Sequence, residues 1–222
     1  DGYWIDDSSS SSSRGPFRPW SSWEEVPDEV PQWAKDSFVF LEVFAGTAGI
    51  TEAVKCQGCV VLPPIDIDTS EAVETATDIA DTKKWKKVDR WITSGAIKLL
   101  HLGTPCSSFS RARKDDGGPR PLRSEEFPDG LPEIRDRDIN DPDKKKLIAG
   151  NYFMHVTADW CRKLSELGCH WTVENPLDSF IWKCKEFEEL AKLAGVVEVL
   201  MDQCSYFHSS KKPTKFLCSH HA

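Results

Sequence analysis

The sequence lacks several features that would assign it to a class at once. It has no apolar run of about 18 residues, so we expect no membrane-spanning helix, and no internal repeat indicates a solenoid. Basic residues are few for a protein that coats nucleic acid, because 36 acids outnumber 28 lysines and arginines and the net charge is −8. This balance weighs against nonspecific coating of nucleic acid and leaves room only for a local basic patch.

No signal peptide opens the chain, and its first residue is Asp1 rather than methionine. We therefore expect a processed product or a piece of a longer protein, so that a targeting sequence would lie outside these 222 residues. The length suits one domain with a substantial core rather than two large ones.

Eight cysteines are present, but the chain is too long and too ordinary in composition for a small disulfide scaffold. Cys56 and Cys59 form a CxxC pair, and together with Cys218 and His221 they offer four zinc ligands. Because the CxxC pair falls at the end of a predicted helix, we favour core thiols and expect no metal.

Residues 1–37 are predicted to form an irregular, acidic arm. The arm contains a serine run from Ser8 to Ser13 and the tryptophans Trp4, Trp20, Trp23 and Trp33. Two interpretations stay open: a flexible linker, which the composition favours, and a docking arm whose tryptophans cover part of the core.

Short apolar runs alternate with amphipathic segments along residues 38–222. The pattern predicts strands at 38–44, 60–62, 97–102, 170–173, 196–201 and 215–218, and helices at 47–57, 82–93, 144–167 and 187–193. Such alternation is typical of an α/β fold with a doubly wound, mostly parallel sheet. The charged segment 107–143 is predicted to be a long loop, either functional or disordered.

Small and polar residues follow the predicted strands, at the edge where doubly wound sheets bind ligands. The turn from Ala45 to Gly49 precedes a helix whose free N–H groups suit an anion. A carboxylate at Asp66 suits a ribose diol and one at Asp78 an exocyclic amine, although a helix cap or a solvated acid fits each equally well. Glu174 and Asn175 end another strand, where a carboxyl group suits the edge of a heteroaromatic ring and a structural cap is the alternative.

Cys106 is the most informative of these residues because it directly follows a strand and a proline. Pro105 fixes its own φ and biases Thr104 toward an extended backbone, so the thiol is held rigidly. A thiol held in polar surroundings becomes a nucleophile if its pKa falls. On this segment alone, an inert, partly buried cysteine is the slightly favoured alternative.

Together these motifs resemble those of the cytosine-5 DNA methyltransferases, over roughly residues 38–218. The turn from Phe44 to Gly49 resembles their S-adenosylmethionine-binding turn. Asp66-Ile67 and Asp78-Ile79 resemble the pairs that hold ribose and adenine. Gly103 to Cys106 resembles the catalytic Pro-Cys motif, Glu174-Asn175 resembles the Glu-Asn motif, and residues 203–214 resemble a late basic motif more loosely.

The resemblance implies a Rossmann-like methyltransferase fold, S-adenosylmethionine as cofactor and DNA, or RNA, as substrate. It implies that Cys106 is the nucleophile toward cytosine and Glu174 its partner on the base, which must leave any duplex to react. The implied cofactor-binding residues are Phe44, Ala45, Gly46, Thr47, Gly49, Asp66, Ile67, Asp78, Ile79 and Pro105. The implied substrate-binding residues are Asn175, Ser107, Arg111, Arg113, Lys211 and Lys212.

Several positions depart from the family pattern. Ala48 replaces the second glycine of the first motif, Pro176 follows Glu-Asn in place of valine, and the late motif has lysines and a threonine in place of arginines. The sequence ends at Ala222, where the family continues into a target-recognition region and two further motifs. We expect a fragment, a domain completed by a larger polypeptide or partner, or one that no longer methylates. One hypothesis is that the tryptophan-bearing arm substitutes for the missing part of the cofactor pocket.

Two functions follow from this pattern. The first is a cytosine-5 methyltransferase, intracellular and expected in the nucleus if its substrate is DNA. The second is a degenerate methyltransferase domain that serves as a binding or scaffold subunit in a larger assembly.

Overall fold

The computed structural model describes residues 20–66, 83–114, 117–202 and 212–219. In chain order they form α1 (Gln32–Lys35), β1 (Val39–Val43), α2 (Gly49–Cys56), β2 (Val60–Val61), α3 (Lys83–Thr93), β3 (Ile97–Leu102), α4 (Pro132–Arg135), α5 (Pro142–Glu166), β4 (His170–Pro176), a 3-10 helix (Phe180–Lys183), α6 (Lys185–Leu190), β5 (Val196–Asp202) and β6 (Pro213–Ser219).

One six-stranded sheet organises the fold, with strand order β2-β1-β3-β4-β6-β5. The pairs β1–β2, β1–β3 and β3–β4 are parallel, whereas β6 runs antiparallel to both of its neighbours. The predicted α/β fold with a mostly parallel sheet is confirmed. The reversed strand has a consequence for the site, because β6 begins at the edge where the parallel strands end.

Helices cover the two faces of the sheet unequally. Leu41, Leu100 and Trp171 lie side by side in register and are fully buried on the face that packs against α3 and α5. The Trp171 indole N–H donates to Ser165 Oγ on α5 at 2.8 Å. Helix α2 packs on the opposite face, over β1 and β2. Strands covered on both faces are near-continuous apolar runs, as β1 is with all five residues buried.

Several boundaries differ from those predicted. Helix α5 begins at Pro142 because Asp141 caps it, accepting from the N–H groups of Asp143 and Lys144 at 2.9 and 3.2 Å. Strand β4 continues to Pro176, so the Glu-Asn motif lies inside the strand rather than after it. The 3-10 helix and α4 were not predicted; α4 interrupts the predicted loop 107–143. Helix α6 begins at Lys185 and ends at Leu190, earlier than the predicted 187–193.

The described part of the arm, from Trp20, packs against α3. Trp23 is 5% exposed and its indole N–H donates to the Pro63 carbonyl at 2.8 Å. The ring of Trp20 meets that of Trp91 edge-on, with centroids 5.5 Å apart. These residues form a docked segment rather than a flexible linker; Trp4 lies outside the described residues.

Lys87 on α3 fastens this segment. Its ammonium donates to the carbonyls of Trp23 and Val26 at 2.9 and 2.7 Å, and its side chain is 9% exposed. We expect Lys87→Met to destabilise the fold by about 2 kcal/mol, since two buried acceptors lose a charged donor. Urea unfolding followed by tryptophan fluorescence measures this change. Lys83→Met, at an exposed lysine of the same helix, is the control, and an equal effect of both would contradict the assignment.

Among the described residues, none of the helices has the combined length and apolar character needed to cross a membrane.

Candidate active site at the carboxyl edge of the sheet

Strand register brings the predicted site residues to one edge of the sheet. Val43, Leu102 and Val173 are aligned across β1, β3 and β4, so β1 and β3 end at one level and β4 continues three residues beyond it, to Pro176. Antiparallel pairing of Pro176 with Thr214 places the start of β6 at this edge too. The glycine turn after β1, the Pro-Cys segment after β3, the Glu-Asn pair at the end of β4 and Lys212 before β6 therefore share one edge.

The turn after β1 has an unusual backbone. Phe44, Gly46 and Ala48 have φ values of 60°, 52° and 54°, in the left-handed region that favours glycine. The Ala45 N–H donates to the Ile65 carbonyl at 3.1 Å and fixes the turn against the segment that follows β2. Strain of this kind is retained where the surrounding structure enforces it, often at a ligand site. Ala48, which replaces the family's glycine, keeps the glycine-like conformation.

Glu42 is a site-supporting residue that the sequence analysis missed. It is 4% exposed in β1, and its Oε2 accepts from the backbone N–H and the hydroxyl of Thr51 at 2.6 and 2.5 Å. These bonds fix the first turn of α2 over the strand that leads into the glycine turn. A lone acid within the apolar run Val39–Val43 was the available signal, because a carboxylate is buried only with partners.

Gly103 joins the first turn to the Pro-Cys segment. Its N–H donates to the Val43 carbonyl at 3.1 Å, and a Cβ at this position would lie 2.8 Å from the Phe44 carbonyl oxygen. Only glycine permits this approach between two backbones.

We expect Gly103→Ala to destabilise the fold by about 1–3 kcal/mol, because the contacted oxygen belongs to backbone and cannot rotate away. Chemical denaturation measures this change. Gly49→Ala is the matched control, since its Cβ would meet only Thr47 Oγ1 at 4.0 Å and alanine suits a helix. Equal stability of Gly103→Ala and wild type would contradict this contact.

The cofactor-binding residues predicted from the motifs are only partly described. Gly46 and Thr47 are exposed in the turn, and Asp66 is exposed directly after Ile65. The Phe44 side chain instead packs into the core, edge-on to Phe153 with centroids 5.3 Å apart, so only its backbone faces the edge. Ile67, Asp78 and Ile79 lie outside the described residues.

Cys106 lies in a turn that hydrogen bonds on both sides of it hold in place. Thr104 is buried, and its hydroxyl hydrogen-bonds the Thr157 hydroxyl of α5 at 2.9 Å. The Phe109 N–H donates to the Cys106 carbonyl at 2.9 Å and closes the turn. The thiol is half-buried, and the part of the chain that the structure describes contains no disulfide.

Asn175 ties β4 to this segment. It is fully buried, and its Nδ2 donates to the Thr104 carbonyl at 2.6 Å, two residues before the thiol. Its Oδ1 is a buried oxygen without a hydrogen-bond partner among the described residues. The interaction with Thr104 makes Asn175 part of the scaffold that holds Cys106 beside Glu174.

Glu174 and Lys212 set the charge around the thiol. Lys212 Nζ lies 3.5 Å from Glu174 Oε1, and the Glu174 side chain is 19% exposed. Burial raises the pKa of the Cys106 thiol; the Lys212 charge opposes this rise in pKa and the Glu174 charge adds to it. The thiol therefore responds electrostatically to both groups, and removing the charge of Glu174 favours the thiolate.

Arg111 and Arg113 brace the loop beyond the thiol. Arg111 Nε donates to the Asp178 carbonyl at 2.6 Å, and its guanidinium pairs with Glu125. Arg113 Nε donates to the carbonyl of Ser107, whose side chain is exposed, at 2.9 Å. These contacts engage part of each guanidinium, and contact with phosphate stays a prediction. Lys211 lies outside the described residues, and Arg123, which the sequence analysis did not single out, is buried.

The zinc alternative does not fit the sheet. Cys59 precedes β2 and Cys218 lies on β6, four strand positions apart, or about 19 Å at roughly 4.8 Å per strand. One metal ion cannot bind both. No group of three or more potential ligands is assembled within the described residues, and His221 lies outside them.

Comparison with known proteins identifies similar solved structures. No family model matches the chain, and no curated protein matches it significantly. The S. pombe Dnmt2 methyltransferase is 15% identical, with a TM-score of 0.44 over 82% of this chain and 50% of that one. The Entamoeba histolytica methyltransferase EhMeth is 14% identical, with a TM-score of 0.41 over 83% of this chain and 53% of that one. This chain spans about half the length of either protein.

Proposed function

We propose that this chain is an S-adenosylmethionine-dependent methyltransferase domain that methylates carbon 5 of cytosine in DNA, or in RNA, through a covalent adduct with Cys106. One observation carries the proposal: the Cys106 thiol, the Glu174 carboxylate and the Lys212 ammonium are electrostatically coupled at the edge that also contains the strained glycine turn. A thiol with a perturbed pKa beside two charged side chains, at a ligand-binding edge, favours an active site over a structural cluster.

The turn fits the cofactor that the motifs imply. A Cβ at Gly46 would meet nothing within 4 Å, so the outward side of the turn is open to a ligand. The side chain of Ala48 caps none of the first N–H groups of α2, of which the Thr51 N–H already donates to Glu42. Asp66, five residues after the end of β2, is an acceptor for a ribose diol. When bound there, S-adenosylmethionine supplies an electrophilic methyl group on sulfonium sulfur.

Cys106 and Glu174 would activate the base together. The Cys106 thiolate adds to carbon 6 of cytosine, the C5–C6 π electrons move toward C4 and N3, and Glu174 gives a proton to N3. Carbon 5 would then accept the methyl group that a bound cofactor supplies, leaving S-adenosylhomocysteine, while N3 would return its proton to Glu174. Carbon 5 would next lose its own proton to a base, which restores the C5–C6 double bond. The sulfur–C6 bond breaks, and Cys106 leaves as thiolate. Nucleophilic catalysis thus replaces one difficult substitution by easier steps.

The charges of Glu174 and Lys212 would link formation of the Cys106 thiolate to binding of the base. In the free protein, burial and the Glu174 charge raise the pKa of Cys106. Glu174 can give a proton to N3 only when it is itself protonated, and a protonated Glu174 lacks the negative charge that raises the pKa of Cys106. Lys212 then acts on the thiol without its nearby counter-charge, which favours the thiolate when a base is in place. The base must be single-stranded or flipped out to reach the thiol.

The docked arm stands near the cofactor side of this edge. Trp23 donates to the carbonyl of Pro63, three residues before Asp66. This placement supports the hypothesis that the arm substitutes for an absent part of the cofactor pocket. Deletion of residues 1–36 would lower S-adenosylhomocysteine affinity on this account; unchanged stability and affinity would end the hypothesis.

Transfer of tritiated methyl groups tests the proposed function. The chain is incubated with labelled S-adenosylmethionine and cytosine-containing duplex DNA, single-stranded DNA or RNA. We expect incorporation at carbon 5 in at least one substrate, abolished by Cys106→Ser and preserved by Cys56→Ser, which removes an exposed thiol elsewhere. Folded protein that transfers no methyl group to any of these substrates would count against the enzyme.

The scaffold function is the second candidate, and the exposed edge of the sheet favours it. Val197, Val199 and Leu200 on edge strand β5 are 44%, 46% and 61% exposed, and apolar edge strands are commonly covered by another chain segment or partner. Absence of both methyl transfer and S-adenosylhomocysteine binding, in a folded chain that joins a larger complex, would favour this role.

A further inference from the structure

Arg123 is a charged side chain in the interior of the protein. It comes from the segment 107–143, which the sequence predicts to be a loop, yet it is 2% exposed. Burial lowers the pKa of its guanidinium to about 10, so the group remains a cation at neutral pH. A buried cation destabilises a fold unless its donors are satisfied, so the contacts of Arg123 define what it holds in place.

Those contacts converge on the turn that carries Cys106. Arg123 Nε donates to the Ser108 carbonyl at 3.1 Å, and its Nη2 donates to Ser108 Oγ at 3.0 Å. The guanidinium lies over the Phe109 ring, 3.6 Å from its centroid. The planar guanidinium thus holds Ser108 through two hydrogen bonds and Phe109 through a cation–π contact with its ring.

The other end of the guanidinium is anchored to rigid structure. Its Nη1 donates to the Pro128 carbonyl at 2.8 Å and to Asn151 Oδ1 on α5 at 2.7 Å. Gly150, the neighbour of Asn151, leaves room for the hydrogen bonds between Arg123 and Ser108. A Cβ at Gly150 would lie 2.1 Å from Ser108 Oγ and 2.9 Å from Arg123 Nη2. Helix α5 and Arg123 together therefore enclose Ser108.

The contacts of Arg123 with Ser108 and Phe109 are connected to Cys106 by one hydrogen bond. The Phe109 N–H donates to the Cys106 carbonyl, and the Phe109 carbonyl in turn accepts from the Phe180 N–H at 3.0 Å. Residues 108 and 109 are thus fixed on both sides, and the thiol two residues earlier has a fixed backbone. A lysine could not reproduce the arrangement, because it lacks the planar fork.

We infer that Arg123 is a positioning residue for Cys106, which holds the 106–109 turn in the geometry needed for addition to the base. This inference rests on the proposed function. A displacement of about 1 Å at reacting atoms can lower a rate about 100-fold, so the effect appears in the rate of addition rather than in nucleic-acid affinity. Arg123 contacts no reacting atom and acts only through Ser108 and Phe109.

Variants at Arg123 and at Arg135 in helix α4 of the same segment test the inference. Arg123→Lys keeps the charge and Arg123→Met removes it, whereas Arg135→Met removes an exposed cation paired with Asp129 as the matched control. Adduct formation is followed on a 5-fluorocytosine oligonucleotide over a range of concentrations, with S-adenosylmethionine present. For both Arg123 variants we expect the maximal rate to fall about 100-fold, with an unchanged half-saturating oligonucleotide concentration. The control keeps the wild-type rate.

Two further measurements keep the test independent of activity. Hydrogen exchange at the Phe109 amide should accelerate in the Arg123 variants. Iodoacetamide alkylation of Cys106, measured relative to exposed Cys56 in the same molecule, should not slow, because a looser turn leaves the thiol accessible. If Arg123→Met fails to fold, Gly150→Ala displaces Ser108 without removing any polar group, and we expect the same slower addition.

The outcomes separate this inference from the proposed function. A wild-type chain without adduct formation contradicts the function, and Phe109 exchange together with Cys106 alkylation then decides the positioning role. Wild-type adduct rates in folded Arg123→Lys and Gly150→Ala, or an equal loss in Arg135→Met, would overturn the role of Arg123. Unchanged Phe109 exchange in the Arg123 variants would overturn it as well.

Discussion

Glu174→Gln will accelerate alkylation of Cys106 and slow its addition to cytosine. The first effect follows from charge: the Glu174 carboxylate adds to the rise in the pKa of Cys106, so glutamine lowers that pKa. Loss of the 3.5 Å ion pair also leaves Lys212 without this counter-charge beside the thiol. The second effect follows from chemistry, because glutamine cannot give a proton to N3, and a lost acid typically lowers a rate about 10²–10⁴-fold.

The pH profile of alkylation shows in which direction the Glu174 and Lys212 charges each shift the pKa of Cys106. The pKa of Cys106 is raised in the folded protein, so the wild-type rate rises with pH through a range above that of an ordinary thiol. We expect Glu174→Gln to shift this profile to lower pH and Lys212→Met to shift it to higher pH. Site-resolved mass spectrometry of the alkylated peptide measures the profile, with exposed Cys56 as the internal control. Parallel shifts in both variants, or faster addition to cytosine in Glu174→Gln, would contradict the assigned roles.

Asn175→Asp will destabilise the protein strongly at neutral pH. The substitution places a carboxylate where Nδ2 now donates to the Thr104 carbonyl at 2.6 Å, in a fully buried position. Two acceptors then face each other and a charge is buried without a partner, a loss of about 3 kcal/mol. The deficit in the free energy of unfolding should shrink as the pH falls, because a buried carboxyl has a raised pKa and its protonated form can donate to Thr104.

Urea unfolding at several pH values measures this deficit. Asn140→Asp, at an exposed position, is the isosteric control and should stay close to wild type. An Asn175→Asp protein as stable as this control at neutral pH would refute the buried link between β4 and the Pro-Cys segment.

Apolar periodicity was enough to predict the sheet and the edge on which the site lies. Strand β3 was predicted with its observed ends, and β1 to within one residue, because buried parallel strands appear as short continuous apolar runs. The Pro-Cys segment and the Glu-Asn pair were placed on one edge by the same reasoning, since parallel strands end together.

Residues whose roles depend on distant partners could not be predicted in this way. Lys212 lies at this edge, beside Glu174, only because β6 is antiparallel, which periodicity does not reveal. Glu42 and Arg123 are buried polar groups whose partners are Thr51 and Ser108, and composition alone places such side chains on the surface. The segment 107–143 has the composition of a solvated loop, yet Leu122, Ile134 and Leu147 form a small core beneath it.

The most direct test of a thiol nucleophile at this edge is covalent trapping. Fluorine at carbon 5 prevents the proton loss that would release the enzyme, so the adduct with a 5-fluorocytosine oligonucleotide persists. We expect intact-mass analysis to show one oligonucleotide per chain in the presence of S-adenosylmethionine, attached within the peptide that contains Cys106 and absent from Cys106→Ser. An adduct on another cysteine, or none in a folded protein that binds the oligonucleotide and the cofactor, would contradict the account.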